Sequence, residues 1–285
     1  MSQGRGRVVE SFKAGLYLCA TPIGNLEDIT LRVIRLFEEA ILIAAEDTRK
    51  TRKLLTHYNL HKPLVSYHQH NWRQRSGELL AKARLGPVAV VSDAGMPGIS
   101  DPGSELVQLA AEAQIPVTVL PGPSAAFTAL VLSGLATDRF SFEGFLPRQE
   151  SARRALLEKL ALEERTMIFY EAPHRLKQTA EDLQQLGPRR AAVARELTKQ
   201  FEQVWRGNLS DLPERLEREI PLRGEFVIVV EGKLQERRWP QAEVEKALAD
   251  LISTGTPLKE ASRQLAESSG WQRNELYELG LSLRD

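Results

Sequence analysis

Cysteine is nearly absent: one thiol, Cys19, stands among 285 residues, inside an apolar run. That excludes an intrachain disulfide and a cysteine-based metal site, and it fits a reducing cytoplasm. Charge of one sign is not in excess either, because 38 Lys and Arg face 38 Asp and Glu for a formal net charge of zero. No global field attracts nucleic acid, so any such binding must come from local basic patches. No apolar run approaches membrane-spanning length, and the opening MSQGRGRVVESFKAG lacks the apolar core of a signal peptide. The expectation is a soluble protein with no membrane partner and a flexible tail over residues 1–14. Gly95, Gly98 and Gly103 do not fit the G-x-G-x-x-G fingerprint, and no G-x-x-x-x-G-K-[ST] phosphate loop occurs anywhere.

What is present centres on residues 87–113. Val88, Ala89, Val90 and Val91 read as a strand buried on both faces, the pattern of a parallel sheet. A loop of glycines, prolines and aspartates follows, and then Leu106, Val107, Leu109, Ala110 and Ala113 recur at helical spacing. In open α/β sheets, ligands sit beyond the carboxyl ends of the strands, which makes this loop the first place to look for chemistry. Two carboxylates in a backbone-lined pocket repel a polyphosphate and suit ribose hydroxyls, an amine or a sulfonium. That points toward S-adenosylmethionine. Asp101 and Pro102 also read as a helix cap followed by proline at the first helical position.

The apolar fraction of 42% supports a full core over this length. Residues 15–20 read as the first strand, followed by a tight loop (Pro22, Ile23, Gly24, Asn25) and a helix capped near Asp28 or Thr30. Residues 41–45 form a second strand ending in Glu46, Asp47, Thr48 and Arg49, which is either a second site loop or a helix cap. Residues 63–67 form a third, ending in His68, Gln69 and His70; these two histidines lack an obvious third ligand, so no metal is expected and a polar rim is the better reading. Residues 116–120 lead into Pro121, Gly122, Pro123, Ser124 and Ala125, where small residues allow a flat ligand close to the backbone. The rhythm pauses near residues 134–138 and restarts after Pro147, with strands expected at 166–170, 190–195 and 224–230 and strand-like alternation at 202–206. The fold class is α/β: an N-terminal domain over residues 15–122 with a parallel sheet, a mixed C-terminal domain over 123–233, and a cleft between them. From residue 234 a helical tail follows, suited to RNA binding or to a dimer contact.

Taken in order, the motifs TPIGNLEDIT, AAEDTR, SYHQHN, VSDAGMPGISDPG, PGPSAA, FEGFLPR, IFYEAPHRL, ARELTKQFE and LKEASRQLA closely resemble the ribosomal RNA small subunit methyltransferase I family of the tetrapyrrole methylase superfamily. The resemblance runs from about residue 15 to residue 281. It implies a two-domain methylase binding S-adenosylmethionine in the interdomain cleft and methylating the ribose 2′-hydroxyl of a decoding-centre cytidine in 16S ribosomal RNA. Carried over, the cofactor would meet Pro22, Ile23, Gly24 and Asn25; Asp93, Ala94, Gly95, Met96 and Pro97; and Pro121, Gly122, Pro123, Ser124 and Ala125. Met96 and Ser104 depart from the threonine and tyrosine usual in nearer members.

A ribose hydroxyl is a poor nucleophile, so a base or a charge that stabilises the developing alkoxide is expected. The candidates are Lys199, as a cation or as a base with depressed pKa, with Glu46, Glu171 and Glu196 as polar partners; the plain reading of Lys199 is a salt bridge with Glu196 or Glu202. Arg49, His68, His70, Arg148, His174, Arg175 and Arg195, with Arg153 and Arg154, would line the RNA entrance. Related methylases pair through their α/β bodies, so a homodimer is expected by resemblance. Two alternatives stand beside this reading: a tetrapyrrole C-methyltransferase, and a non-catalytic RNA-binding assembly protein.

Overall fold

The computed structural model describes residues 10–100, 103–233 and 239–283. The cap expected at Asp101 with Pro102, and the start of the tail at Leu234, lie outside the described residues.

The first half alternates strands and helices: β1 (Gly15–Cys19), α1 (Leu31–Glu39), β2 (Leu42–Ala45), α2 (Thr48–His57), β3 (Leu64–Ser66), α3 (Trp72–Ala83), β4 (Pro87–Val91), α4 (Ser104–Glu112) and β5 (Val117–Leu120). All pairings are parallel, in the order β3-β2-β4-β1-β5. β1, β2 and β4 are buried along their whole length, because helices cover both faces of a parallel sheet. Cys19, Val33, Phe37, Ile43 and Val91 pack on one face, and Leu16, Leu79, Val88, Val90 and Leu106 on the other. Burial pushes the Cys19 thiol pKa up, so it is an inert core residue.

Local chemistry sets the helix starts. Thr30 Oγ1 accepts the Val33 amide at 3.2 Å and opens α1. Asp47 Oδ1 accepts the Arg49 amide at 2.8 Å and opens α2, so the polar cluster at 46–49 includes a helix cap. Phe12 packs edge-to-face on Tyr17 at 5.3 Å, and its amide donates to Glu39 at 2.8 Å, so Phe12 is anchored to the first half.

α5 (Ala125–Ser133) carries the chain across to the second half: β6 (Phe140–Phe145), α6 (Glu150–Leu160), β7 (Thr166–Glu171), α7 (Leu176–Leu183), β8 (Arg190–Arg195), β9 (Gln203–Asn208), α8 (Leu212–Arg218) and β10 (Phe226–Val230). The sheet order is β6-β7-β10-β8-β9; β6 and β7 are parallel and the remaining pairs antiparallel. β6 was not expected, since its half-buried sequence FSFEGF carries no apolar run and its register shifts at Phe142/Gly144. The antiparallel setting of β10 brings its N-terminal end level with the C-terminal ends of β7 and β8, where Phe226 pairs with both Glu171 and Arg195. Ala126, Ala129 and Leu130 of α5 pack on Ile168, Ala194 and Val227 of this sheet together with Ile23 from the first half.

α9 (Gln241–Ser253), α10 (Leu258–Ser269) and α11 (Arg273–Ser282) enclose a separate small core of Val244, Leu248, Leu258, Ala261, Leu265 and Leu276. Among the described residues no helix is long and apolar enough to cross a membrane.

Arg153, expected at an RNA entrance, is instead buried: its Nε meets Asp182 Oδ2 at 2.5 Å, and its Nη1 donates to the carbonyls of Pro147 and Arg148. Removing one partner of a buried pair strands the other charge. Arg153→Ala is therefore expected to destabilise the chain by about 3 to 5 kcal/mol, read as a shift of the urea unfolding midpoint.

Candidate functional site

The loops after β1, β2, β4 and β5 all leave the same edge of the first sheet and face the edge of the second sheet formed by β6, β7 and β10. Between them lies a cavity of about 360 Å³. Ile23, Glu46, Lys50, Asp93, Ala94, Gly95, Met96, Ile99, Ser100, Ser124 and Ala125 line it from the first side, and Phe145, Tyr170, Glu171, Ala172, Pro173, Gly224, Glu225, Phe226 and Val227 from the second.

Backbone stitches fix the first side. Thr21 and Gly95 exchange hydrogen bonds in both directions, N to O at 2.9 and 3.0 Å. Gly95 holds φ +78°, a conformation that glycine adopts without steric cost. The ends of β2 and β4 clasp one another: the Asp47 amide donates to Asp93 Oδ1 at 3.0 Å, and the Asp93 amide donates to Glu46 Oε2 at 3.1 Å. Lys50 Nζ binds Asp93 Oδ2 at 2.8 Å, and this bond holds the Lys50 pKa above its ordinary value. Asp93 thus borders the cavity and pins its loop at once.

The two halves meet at Gly24. A Cβ placed there would fall 2.7 Å from the Leu197 carbonyl and 2.5 Å from Lys199 Cγ. The neighbouring Asn25 amide donates to Thr198 Oγ1 at 2.9 Å. Glu196 and Thr198 themselves sit at positive φ, 50° and 63°, in a tight turn. Lys199 Nζ bridges Glu196 at 2.8 Å and Glu225 at 2.9 Å. Burial alone would lower its pKa, but the two carboxylates outweigh that and raise it. A raised pKa favours the protonated form, and the expected pairing with Glu196 is joined by Glu225 instead of Glu202. The same Lys199 hydrogen bond lowers the Glu196 pKa.

Of the residues expected to meet a cofactor, Ile23, Asp93, Ala94, Gly95, Met96, Ser124 and Ala125 border the cavity. Pro22, Gly24, Asn25, Pro97, Pro121, Gly122 and Pro123 do not; Gly24 and Asn25 form the joint between the halves, and Gly122 packs against Ala20 with only 3.0 Å for a Cβ. Glu46 lines the cavity. Glu171 also borders it, but its side chain is fully buried, with Oε2 accepting from Thr179 Oγ1 at 2.6 Å, Oε1 from the Ala172 amide at 2.8 Å, and Arg175 Nε at 3.5 Å. These bonds tie Glu171 to the turn at 172–175.

Arg195 is buried within the second half, where its guanidinium donates to the carbonyls of Arg223 and Phe201. Arg148, His174 and Arg175 line a second cavity of about 520 Å³ with Glu150, Arg153, Gln178 and Thr179. There Arg175 is tied to the Leu146 carbonyl at 2.7 Å, while Arg148 and His174 stand exposed. Arg49 belongs to a third hollow along α2. His68 and His70 sit at the start of α3 with rings 5.9 Å apart and border none of these cavities. Lys50, Tyr170 and Gly224 to Phe226 escaped the sequence reading; a lysine one turn into a helix carries no signal, and β10 contributes through the end opposite to the one a parallel strand would use.

Residues 15–213 match the family of tetrapyrrole (corrin/porphyrin) methylases, and residues 240–284 match the RsmI C-terminal HTH domain. The uroporphyrin-III C-methyltransferase of Thermus thermophilus, solved with S-adenyl homocysteine, superposes with a TM-score of 0.54 over 76% of this chain and 97% of that one, at 21% identity, and so shares the fold. Two sheets meeting at such a cavity, with this match, define a tetrapyrrole methylase. Ribosomal RNA small subunit methyltransferase I of Synechocystis sp. is 50% identical over 94% of this chain and 98% of its own length. Its counterpart in Halalkalibacterium halodurans is 46% identical over 94% of each. The chain belongs to the ribosomal RNA small subunit methyltransferase I family.

Asp93→Ala removes both the acceptor for the Asp47 amide and the partner of Lys50. We expect a loss of about 1 to 3 kcal/mol in cofactor binding, read by calorimetric titration with S-adenosylmethionine, alongside a lower melting temperature. Asp93→Asn keeps an acceptor for the Asp47 amide and should melt closer to the parent. A variant that melts lower yet binds normally would make Asp93 purely structural.

Proposed function

We propose that this methylase transfers a methyl group from S-adenosylmethionine to the ribose 2′-hydroxyl of a decoding-centre cytidine in 16S ribosomal RNA, in the cytoplasm. The observation that carries the reading is the likeness to curated ribosomal RNA methyltransferases, which spans 94% of the chain and reaches into the helical tail.

The cavity residues fit the cofactor. Its volume lies in the range of ligand clefts. Glu46, Asp93 and Glu225 outnumber the single ammonium of Lys50 and favour a bound cation, while Ile23, Ala94, Met96, Tyr170 and Val227 form apolar walls. S-adenosylmethionine supplies an electrophilic methyl group on a sulfonium. The residues themselves supply alignment and charge. Glu46 is tied to the Asp93 amide and Glu225 to Lys199, so both carboxylates are held at the cavity wall and are the groups placed to accept the hydroxyl proton. Lys199, kept protonated by its two partners, holds Glu225 and places positive charge near a developing alkoxide.

A homodimer completes the proposal. β5 is an edge strand of the first sheet, and α5, which packs on the second sheet, exposes Phe127 and Val131 one turn apart on one face, 53% and 73% accessible.

The test of the activity is methylation of small ribosomal subunits by the purified protein, with the modified ribose mapped on 16S RNA. Lys199→Met preserves the stem that packs on Gly24; it should lower kcat roughly 100-fold with little change in cofactor affinity, and Lys199→Arg should restore part of it. No ribose methylation by the parent chain would overturn the function. Sedimentation at micromolar concentration should give the dimer mass, and Phe127→Asp with Val131→Asp should give the monomer; a monomeric parent would overturn the dimer.

A further inference from the structure

Some exposed cations on this surface are neutralised by a carboxylate on the same or a neighbouring helix. Arg75 pairs with Glu78, Arg154 with Glu150, Arg218 with Glu214, Lys177 with Glu217 and Arg263 with Glu260, each within 2.8 Å. α2 concentrates its cations without a carboxylate of its own. Its sequence TRKTRKLLTH holds four Lys and Arg, one His and no carboxylate. Thr51, Leu54 and Leu55 turn inward, whereas Arg49, Arg52, Lys53, Thr56 and His57 are exposed at the i, i+3, i+4, i+7, i+8 spacing of one helix face. Lys50, on the other side of the helix, is paired with Asp93 at 2.8 Å, and on the exposed face Arg49 is paired with Asp47 at 2.7 Å; among the described residues Arg52 and Lys53 form no ion pair.

That face lines a hollow of about 630 Å³, closed at one side by Leu26 and containing no carboxylate among its lining residues. The same helix turn sends Lys50 into the cavity of about 360 Å³, so the hollow and the cavity occupy two sides of one helix. The tail offers the opposite charge: residues 239–283 hold seven Asp and Glu against four Lys and Arg, a net −3, and Arg263 is shared between Glu260 and Glu267.

We propose that the α2 hollow holds the backbone phosphates of the RNA strand beside the target nucleotide, with Arg52 and Lys53 as the principal phosphate contacts, and that the helical tail does not. This rests on the RNA substrate proposed above. A polyanion in a molecule of zero net charge must find a place where cations are left uncompensated, and α2 leaves them on the rim of the reaction cavity.

The test uses the full chain and the double variant Arg52→Gln, Lys53→Gln. Methylation of small subunits and equilibrium binding of protein-free 16S RNA are each followed from 50 to 200 mM salt. Losing two phosphate contacts should raise the apparent KM for subunits roughly tenfold and flatten the log–log salt slope by about 1.4, at about 0.7 per contact for single-stranded RNA. Affinity for S-adenosylmethionine should not change, since neither residue borders its cavity. A double variant that matches the parent in KM and slope would overturn the proposal. So would a tail variant, Lys259→Gln with Arg273→Gln, that weakens RNA binding as much as the α2 variant is expected to. If the parent chain methylates no subunit RNA, the enzymatic reading fails on its own, and the salt slope of RNA binding still decides the hollow.

Discussion

The approach of Gly24 to the turn at 197–199 is the constraint on which the site depends. Two sheets that did not touch would present two unrelated edges to solvent. At this joint the first loop lies against the Leu197 carbonyl with no room for a side chain, and the Asn25 amide is satisfied by Thr198. Ile23 enters one apolar cluster with Ala126, Leu197 and Val227, so the joint is sealed by burial as well as by hydrogen bonding. Lys199 extends from the same turn to Glu225, which fixes the opposite wall. Cavity, charge and joint are therefore one arrangement, and a change at any of the three reaches the others.

Much of the first half was legible because parallel strands buried on both faces must be continuous apolar runs, and β1, β2 and β4 are. Its loops were legible for the same reason, since such strands end in polar residues at one edge of the sheet. The second half hid more. β6 alternates half-buried and bulged positions, and whether β10 runs with or against β7 leaves no trace in the composition of FVIVV. Glu171 and Arg195 stand in polar motifs yet close onto Thr179 and onto backbone carbonyls, because a strand-end side chain points into the core or out of it according to register, and register is a tertiary property. Lys199 illustrates the same limit from the electrostatic side: Glu196 is visible three residues away in sequence, but Glu225, from a different strand, tips the balance.

Zero net charge also misleads about local fields. Pairing at i, i+3 and i, i+4 on α6, α8 and α10 cancels charge over a few ångströms, while α2 and the tail retain opposite signs. The molecule is electrostatically patterned though neutral as a whole, and short-range screening lets both patches act independently.

The covalent crossing between the two sheets has a consequence for motion. It runs through Pro121, Gly122 and Pro123, where two pyrrolidine rings fix φ and Gly122 is wedged against Ala20. The two rings remove two φ torsions from the crossing, which stiffens the link between the halves. The wall beside that crossing carries Gly95 and Ser100, both at positive φ, so the backbone there holds conformations that ordinary residues avoid.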